Sequence, residues 1–341
     1  MSIKRPRVLV THWVHQSVME FLQQHFEVDA NPTRGTWSRA EVLRRAKGCD
    51  AIMVFMPDCI DQDFLNECRS LRIVAAALKG PDNFDIDACT RQGIWFTLVP
   101  DLLTVPTAEL GVALLLGLTR RVLEGDDHVR SGQFNGWRPE LYGRGLAGRT
   151  VGIIGMGAVG RALAERLSAF GLRFIYTDPV EAALPETITA KRIPLADVIA
   201  QSDFLFPLTH LMPETYHLIN ASTLAAMPRG AFLVNIGRGS LVDEAAVAAS
   251  LASGQLAGYA ADVFEMEDWA LSGRPRDVFP GLLEDRCRTL FTPHIGSAVD
   301  EVREAIAMEA ACNIVDVFEG RRPRGARNEI IPAASVAQAA G

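Results

Sequence analysis

The sequence has no apolar run long enough to cross a membrane and no run of basic residues of the kind that binds nucleic acid. Its longest apolar stretch, Leu110 to Leu118, is about half the length of a membrane-spanning helix. The run Val8 to Val10 that follows the basic start is too short for a secretory signal. The formal net charge of -7 also disfavours a nucleic-acid surface, which needs clustered Lys and Arg. We therefore expect a cytoplasmic protein with neither a membrane nor a nucleic-acid partner.

Cysteine is sparse and follows no ligand or disulfide pattern. The 6 cysteines are spread over 341 residues without a CxxC pair, which suits neither a disulfide scaffold nor a zinc site. We interpret them as reduced thiols in the core and expect no metal. With 48% hydrophobic and 22% charged residues, a chain of this length is expected to form two globular domains.

Short apolar runs recur through the first hundred residues, separated by segments with helical periodicity such as Arg39 to Ala46. This alternation predicts a parallel sheet. The predicted strands are Val8 to Val10, Ala51 to Phe55, Ile73 to Leu78 and Ile94 to Val99. A long helix is then predicted from Ala108 to Arg130, with Thr107 as its N-cap.

A second alternating series predicts a doubly wound sheet of six strands. Those strands are Thr150 to Ile154, Arg173 to Thr177, Phe204 to Phe206, Phe232 to Asn235, Tyr259 to Val263 and Leu290 to Thr292. One more helix is predicted from Glu301 to Glu319. The tail from Arg321 is rich in Arg, Pro, Gly and Ala, and is expected to be mobile.

A glycine-rich loop lies between the first strand of this series and a helical pattern from Arg161 to Phe170. Its spacing is GxGxxG, in which Gly155 permits a tight turn, Gly157 lets the backbone approach a pyrophosphate, and Gly160 allows close helix packing. The loop predicted to bind a dinucleotide consists of Gly155, Met156, Gly157, Ala158, Val159 and Gly160. Arg161 either contacts the pyrophosphate as well or is a solvated helix residue.

An acidic residue at the end of the second strand predicts which dinucleotide is bound. Asp178 lies 18 residues past Gly160, where a carboxylate can accept a hydrogen bond from the ribose 2′-hydroxyl. The next residues, 179–181, offer no cation for a 2′-phosphate, so the predicted cofactor is NAD. The alternative is that Asp178 merely caps a turn before Pro179.

Three later segments, Asn235 to Gly239, Ala261 to Glu267 and Thr292 to Gly296, resemble the D-2-hydroxyacid dehydrogenase family. With the pattern from Pro207 to Asn220, the resemblance covers nearly the whole chain to about Ile314. It implies a catalytic set of Arg, Glu and His at Arg238, Glu267 and His294. We also expect cofactor contacts from Thr107, Pro207 and Asp262.

The chemistry of hydride transfer requires residues of these types. When hydride leaves the substrate for nicotinamide, a base must remove a proton and a cation must hold the anionic group. The resemblance makes His294 the base and gives Arg238 the substrate's oxygens. Glu267 would bond the other imidazole nitrogen and so fix the tautomer.

One loop departs from the usual pattern of the family. Leu78 to Asp85 carries a lysine, Lys79, where relatives usually have apolar and glycine residues. This loop and the segment Phe264 to Ala270 resemble the phosphite (phosphonate) dehydrogenases of the family. That resemblance implies oxidation of phosphite to phosphate, with Lys79 orienting the substrate and His294 deprotonating the attacking water. The sequence differs from those members at Pro81, after Asp178 and in the tail.

The same resemblance predicts which residues line the substrate pocket. They are Met56, Gly80, Leu103, Trp137, Tyr142, Ser297 and Arg303. Trp137 and Trp269 would also exclude water from the site. Plain packing remains an alternative role for Met56, Tyr142 and both tryptophans, and Lys79 has the alternative of a solvated loop cation.

The family implies two doubly wound α/β domains. A flavodoxin-like substrate domain would comprise residues 1–103 and 297–341, with a Rossmann NAD-binding domain at 104–296 inserted between them. Domain closure would bring substrate and NAD together, and the long helix would pack in a homodimer. Two alternatives stay open: a D-2-hydroxyacid dehydrogenase or glyoxylate/hydroxypyruvate reductase, and a non-catalytic NAD(H)-sensing corepressor.

Overall fold

The structure is a computed structural model that describes residues 5–268 and 271–330. The chain divides into two compact units, Met1–Leu103 with Ala298–Gly341, and Thr104–Ser297. The second boundary falls one residue later than expected, so Ser297 belongs to the second unit. None of the helices within the described residues is long and apolar enough to span a membrane.

The first unit is a parallel sheet with helices on both faces. The strand order is β2-β1-β3-β4-β5, the flavodoxin-like order. Its strands are β1 (Arg7–Val10), β2 (Glu27–Ala30), β3 (Ala51–Val54), β4 (Ile73–Ala76) and β5 (Trp95–Thr97). Its helices are α1 (Gln16–His25), α2 (Arg39–Ala46), α3 (Gln62–Glu67), α4 (Ile86–Arg91) and α12 (Asp300–Phe318).

Burial explains which of these strands the sequence predicts. Every residue of β3 and β4 is buried, because apolar side chains cover both faces of a sheet that is sandwiched between helices. The polar strand β2 was not predicted. It lies at the sheet edge with no buried residue, so it has no apolar run to reveal it.

The second unit is a sheet of seven parallel strands in the order β12-β11-β10-β9-β6-β7-β8. Its strands are β6 (Thr150–Ile154), β7 (Arg173–Thr177), β8 (Ala190–Arg192), β9 (Phe204–Pro207), β10 (Ala231–Asn235), β11 (Leu256–Ala261) and β12 (Thr289–Phe291). Its helices are α5 (Thr104–Thr119), α6 (Val122–Arg130), α7 (Ala158–Leu167), α8 (Leu195–Gln201), α9 (Ala221–Ala226), α10 (Glu244–Ala252) and α11 (Pro280–Glu284). The order from β8 to β11 is that of dinucleotide-binding domains. Six strands were predicted, and the one missed, β8, is a short and largely exposed edge strand.

The predicted helix from Ala108 to Arg130 is instead two helices, α5 and α6. The chain breaks at Arg121, whose φ of 53° is left-handed, and the carbonyl of Thr119 accepts a hydrogen bond from the amide of Arg144 (2.7 Å). Thr107 is not the N-cap either, because α5 begins at Thr104 and includes Pro106 near its start. A proline in the first turn is tolerated, since the first amides of a helix have no partner within the helix.

The start of the tail is ordered, contrary to the expectation of a mobile tail from Arg321. The amide of Leu98 donates to the carbonyl of Gly325 (3.0 Å), and the amide of Arg327 donates to the carbonyl of Phe96 (2.9 Å). The buried side chain of Asn328 bonds both the amide of Phe96 and the carbonyl of Ile94. This segment therefore fastens to β5, while residues 331–341 lie outside the described part.

Candidate active site

The predicted functional residues of the second unit follow the carboxyl ends of its parallel strands. Gly155 follows β6, Asp178 follows β7, Arg238 follows β10, Asp262 follows β11 and His294 follows β12. Because these ends share one edge of a parallel sheet, the sequence places all five at that edge. Here the strand order reverses between β6 and β9, which is where open α/β sheets bind ligands.

The glycine-rich loop has the geometry that a dinucleotide needs. Gly155 has a left-handed φ of 98°, and a Cβ there would lie 2.8 Å from the carbonyl oxygen of Leu208. A Cβ on Gly160 would lie 2.5 Å from the carbonyl oxygen of Gly155, so close packing excludes a side chain at both positions. A Cβ on Gly157 would meet nothing within 4 Å. This leaves open space beside the N-terminus of α7, which begins at Ala158 with Val159 next, and these residues fit a pyrophosphate.

Asp178 joins this loop to the end of β7. Its carboxylate accepts hydrogen bonds from the amides of Met156 (2.9 Å) and Val180 (3.1 Å). The second bond is the turn cap that the sequence offered as an alternative, and the first holds the carboxylate against the glycine-rich loop. Arg161 also holds this loop, because its guanidinium donates to the carbonyl of Met156 (3.2 Å).

The structure adds a cation that was not predicted from the sequence. Arg192, on the edge strand β8, donates from Nε to the carbonyl of Asp178 (2.9 Å) and from Nη2 to that of Pro179 (2.7 Å). A positive charge thus lies beside the turn in which residues 179–181 offer none. Only prediction of the polar strand β8 could have revealed this contact.

His294 and Glu267 form the pair that the family resemblance implies. His294 Nδ1 lies 2.6 Å from Glu267 Oε2, and Glu267 Oε1 accepts from the amide of Phe264 (2.8 Å). Both side chains are less than one third exposed, at 30% and 28%. With Nδ1 bonded to the carboxylate, Nε2 is the nitrogen that can exchange a proton with a substrate.

Asp262 fixes the loop that carries His294. Its carboxylate accepts hydrogen bonds from Thr292 Oγ1 (2.6 Å) and from the amides of Ile295 (2.8 Å) and Gly296 (2.8 Å). Burial raises the pKa of this carboxyl group, although the bonds that it accepts act in the opposite direction. The amide of His294 donates to the backbone carbonyl of Asp262 (2.8 Å). Asp262 therefore has a positioning role, and the expected cofactor contact stays a prediction.

Buried Asn235 shapes the turn that carries Arg238. Its side chain donates to the carbonyl of Arg238 (2.8 Å) and accepts from the amide of Gly237 (3.1 Å). A Cβ on Gly237 would lie 2.6 Å from the carbonyl oxygen of Pro207, so the backbone of Pro207 packs closely against this turn. The predicted contact between Pro207 and the cofactor stays a prediction. A Cβ on Gly239 would lie 1.9 Å from the carbonyl carbon of Phe264. The Arg238 turn and the Glu267 turn are therefore in direct contact.

The predicted residues of the first unit follow its own strands. Met56 follows β3, and its carbonyl accepts from Asn83 Nδ2 (3.1 Å). Lys79 and Gly80 follow β4 and are partly exposed. Leu103 is buried at 8% exposure and belongs to the core of this unit, and its place in the substrate pocket stays a prediction.

Arg303, on α12, lines a cavity of the first unit of about 260 Å³. Its guanidinium lies 5.7 Å from the centre of the Phe55 ring, and burial lowers its pKa. Trp13 and His15 line the same cavity. The family resemblance predicted Arg303 as a pocket residue. It did not predict the neighbouring rings of Phe55, Trp13 and His15, which belong to other parts of the unit.

Four further predicted residues lie elsewhere in the second unit. Trp137 and Tyr142, between α6 and β6, are 82% and 71% exposed, so neither is enclosed within this unit. Ser297 is buried at 8% exposure. Thr107 of α5 lies under the His294 loop, since a Cβ on Gly296 would be 3.3 Å from Thr107 Oγ1. Trp269 lies outside the described residues.

Comparison with known proteins identifies the family. Residues 112–296 match the D-isomer specific 2-hydroxyacid dehydrogenase NAD binding domain. The chain belongs to the D-isomer specific 2-hydroxyacid dehydrogenase family. It is 37% identical over 327 residues to a glyoxylate reductase of Aeropyrum pernix, covering 94% of this chain and 95% of that protein. It is 35% identical over 325 residues to a glyoxylate reductase of Pyrococcus furiosus, covering 94% of each chain.

A solved structure supports the fold over both units. A protein of Thermus thermophilus superposes with a TM-score of 0.86 at 35% identity, covering 94% of this chain and all of that one (100%). The prediction of two parallel-sheet α/β domains is confirmed. Membership of the family makes the second unit an NAD-binding domain and the protein an NAD-dependent oxidoreductase.

Proposed function

We propose that this dehydrogenase oxidises phosphite to phosphate with NAD. The observation that carries the proposal is Lys79, which places a second cationic side chain, besides Arg238, among the residues expected to bind the substrate. Phosphite is largely a dianion near neutral pH, whereas a monocarboxylate carries one charge. Two cations match the dianion, because charge-assisted hydrogen bonds are the strong ones.

The His294–Glu267 pair supplies the proton chemistry that this reaction needs. A water oxygen forms a new bond to phosphorus while the P–H bond breaks. The hydrogen leaves the substrate as hydride, with both electrons of that bond. His294 Nε2 takes the proton of the water, and Glu267, 2.6 Å from Nδ1, stabilises the imidazolium that forms. Arg238 and Lys79 each offset negative charge on the phosphorus oxygens. Bound NAD would supply the hydride acceptor.

Glyoxylate reduction is the second candidate, and the named relatives favour it. Both curated relatives described above are glyoxylate reductases that match along almost the whole chain. In that reaction the same His294 would donate its proton to the carbonyl oxygen as hydride arrives, and Arg238 would hold the single carboxylate. Lys79 has no assigned role in this reaction.

Initial rates on both substrate classes separate the two candidates. The purified protein is assayed for NADH formation with NAD and phosphite, D-lactate or D-glycerate, and for NADH consumption with glyoxylate or hydroxypyruvate. Turnover on phosphite with a higher kcat/KM than on any carbon acid supports the proposal. Turnover on carbon acids alone would make the protein a hydroxyacid dehydrogenase or reductase. Binding of NADH without turnover would indicate the corepressor alternative.

Lys79→Ala tests the observation that carries the proposal. We expect the KM for phosphite to rise on the order of tenfold or more, because loss of one cation removes a charge-assisted hydrogen bond, while the Kd for NADH stays unchanged. Lys47→Ala is the matched control, since Lys47 pairs with Glu67 on the surface of the same unit (2.8 Å). An unchanged KM in Lys79→Ala would remove Lys79 from the anion site.

A further inference from the structure

Two glutamates of the short 3-10 helix Glu265–Glu267 make different contacts. Glu267 bonds His294, as described above. Glu265, at 8% exposure, places Oε2 at 2.8 Å from Nε2 of His217, and its Oε1 accepts from the amide of Glu244 (3.0 Å). The side chain that begins this helix is therefore fixed from two directions, while the side chain that ends it holds His294.

Glu244, at the start of α10, completes a reciprocal clasp around this turn. Its Oε1 accepts from the amide of Glu265 (3.0 Å), and its Oε2 accepts from the amide of Phe279 (2.8 Å). Burial raises the pKa of Glu244, and the neighbouring carboxylates Glu265 and Glu267 raise it further. Two buried carboxyl groups thus lie close together, and the ring of His217 bonds one of them, Glu265. Without its imidazole, Oε2 of Glu265 would lose its bond in a place that water barely reaches.

His217 is itself fastened to the turn that carries Arg238. It has a left-handed φ of 48°, and its amide donates to the carbonyl of Ser240 (2.8 Å). Its ring stacks on Tyr216 with a centroid distance of 4.0 Å and an angle of 16°. One residue therefore connects the Gly239–Leu241 turn, which directly follows Arg238, to the Glu265–Glu267 turn.

We propose that His217 is a positioning residue for the reaction: through Glu265 it fixes the turn that carries Glu267, and thereby the orientation of His294. The inference rests on the proposed function, because it takes Glu267 and His294 as the working pair. His217 itself does not exchange a proton with substrate. Substitution of its side chain should act mainly on kcat, because the bond to the turn after Arg238 is made by the backbone amide of His217 and does not need the imidazole.

His217→Leu and His217→Gln test the role, assayed on whichever substrate the protein turns over. Leucine removes the donor to Glu265, and we expect kcat to fall on the order of tenfold to a hundredfold, because small misplacements of catalytic groups have effects of this size. KM and the Kd for NADH should change by less than about twofold. Glutamine keeps a donor at the position of Nε2 and should restore most of kcat. His210→Leu, an exposed histidine of the same region, is the matched control.

A double-mutant cycle shows whether His217 acts through Glu267. If it does, His217→Leu should lower kcat by less than about twofold further in a Glu267→Gln background, where the pair is already weakened. Equal losses in both backgrounds, or full activity of His217→Leu, would overturn the proposal. Should His217→Leu fail to fold, His217→Asn takes its place. Its side chain is shorter, which moves the donor away from Glu265, and the same criteria apply. If Glu267→Gln and His294→Gln themselves keep full activity, the assignment of His294 and Glu267 as the working pair fails instead, whereas the proposed function fails only if phosphite is not turned over.

Discussion

His294 can act as a base at Nε2 only when its Nδ1 carries the proton, and Glu267 favours that form by accepting a hydrogen bond from Nδ1 (2.6 Å). The geometry also separates the roles of the neighbouring residues. Asp262 holds the loop and Glu267 holds the ring, while the substrate contact of Arg238 stays a prediction. These groups therefore follow three strand ends of one sheet, those of β10, β11 and β12, which a compact stretch of sequence could not provide.

Replacing His294 by Ala should nearly abolish turnover. We expect kcat to fall by about 10²-fold to 10⁴-fold, the usual contribution of a positioned general base, while the Kd for NADH stays within about twofold, because no glycine-loop residue depends on His294. Single-turnover rates and NADH fluorescence titration measure the two quantities. An enzyme that keeps most of its kcat would show that another group removes the proton.

In the first unit, two neighbouring side chains titrate in opposite senses. Burial raises the pKa of Asp58 to about 6 and lowers the pKa of His12 to about 4. Asp58 accepts from Thr11 Oγ1 (2.5 Å) and lies 3.6 Å from His12 Nδ1. Since both groups are neutral at about pH 5, their contact there is not an ion pair.

The stability of this unit should therefore respond to pH in a way that single substitutions reveal. The Asp58 contribution is present below about pH 4 and is lost as pH rises through about 6. The His12 contribution is present above about pH 6.5 and is lost as pH falls through about 4. Each is on the order of 3 kcal/mol at full extent, so the two slopes largely offset one another.

Relative to the native sequence, Asp58→Asn should gain stability as pH rises from 4.5 to 6.5, and His12→Gln should lose it. Melting temperatures at three pH values across about 4.5 to 6.5 measure both slopes. If the melting temperature changes with pH in the same way for all three proteins, the opposite pKa shifts are wrong.

At the level of secondary structure, the accuracy of the sequence prediction follows burial. Buried strands such as β6 and β7 were predicted with their observed bounds, because apolar runs between turn residues mark them. The edge strands β2 and β8 are polar and were missed. The break at Arg121 was also missed, because it depends on a hydrogen bond from Arg144, a contact made only in the folded chain.

The candidate site divides in the same way. Motif spacing predicted the glycine-rich loop, and the family resemblance predicted Arg238, Glu267 and His294. Neither predicted Arg192 or His217. Arg192 and His217 act through contacts to residues 14 and 48 positions away in the chain, and no local pattern signals such a contact.

The contact between the Arg238 and Glu267 turns should tolerate no side chain at Gly239. A Cβ there would lie 1.9 Å and 2.1 Å from backbone atoms of Phe264, and backbone cannot rotate away as a side chain can. Gly239→Ala should lower stability by about 1–3 kcal/mol and lower kcat by separating Arg238 from Glu267.

Gly145→Ala is the control for this substitution, because a Cβ at Gly145 would meet nothing within 4 Å and its φ is not left-handed. Thermal unfolding and steady-state kinetics of the two variants give the comparison. If Gly239→Ala melts and turns over like Gly145→Ala, the two turns are not held by this contact.

At the scale of the whole molecule, the surface around α6 is a candidate protein–protein interface. None of the residues of α6 is buried, and the side chains of Leu123, Val129 and Phe134 are 54%, 56% and 54% exposed. These side chains lie close together in the sequence, and exposed apolar patches are typical of interaction surfaces. The family resemblance implies a homodimer, and we propose that this surface forms its interface.

A symmetric dimer uses the same patch on both subunits, so one substitution disturbs the interface twice. Leu123→Glu combined with Val129→Glu should therefore convert a dimer into a monomer at micromolar concentration, as measured by sedimentation equilibrium. Val180→Glu is the control, because Val180 is 72% exposed in the turn after β7. A native protein that sediments as a monomer at every concentration would remove the dimer. A double variant that remains dimeric would place the interface on another surface.

Exposed Trp137 and Tyr142 follow α6 in the chain, so a dimer formed through this surface should also protect them from solvent. Quenching of tryptophan fluorescence by iodide should therefore increase in the double variant.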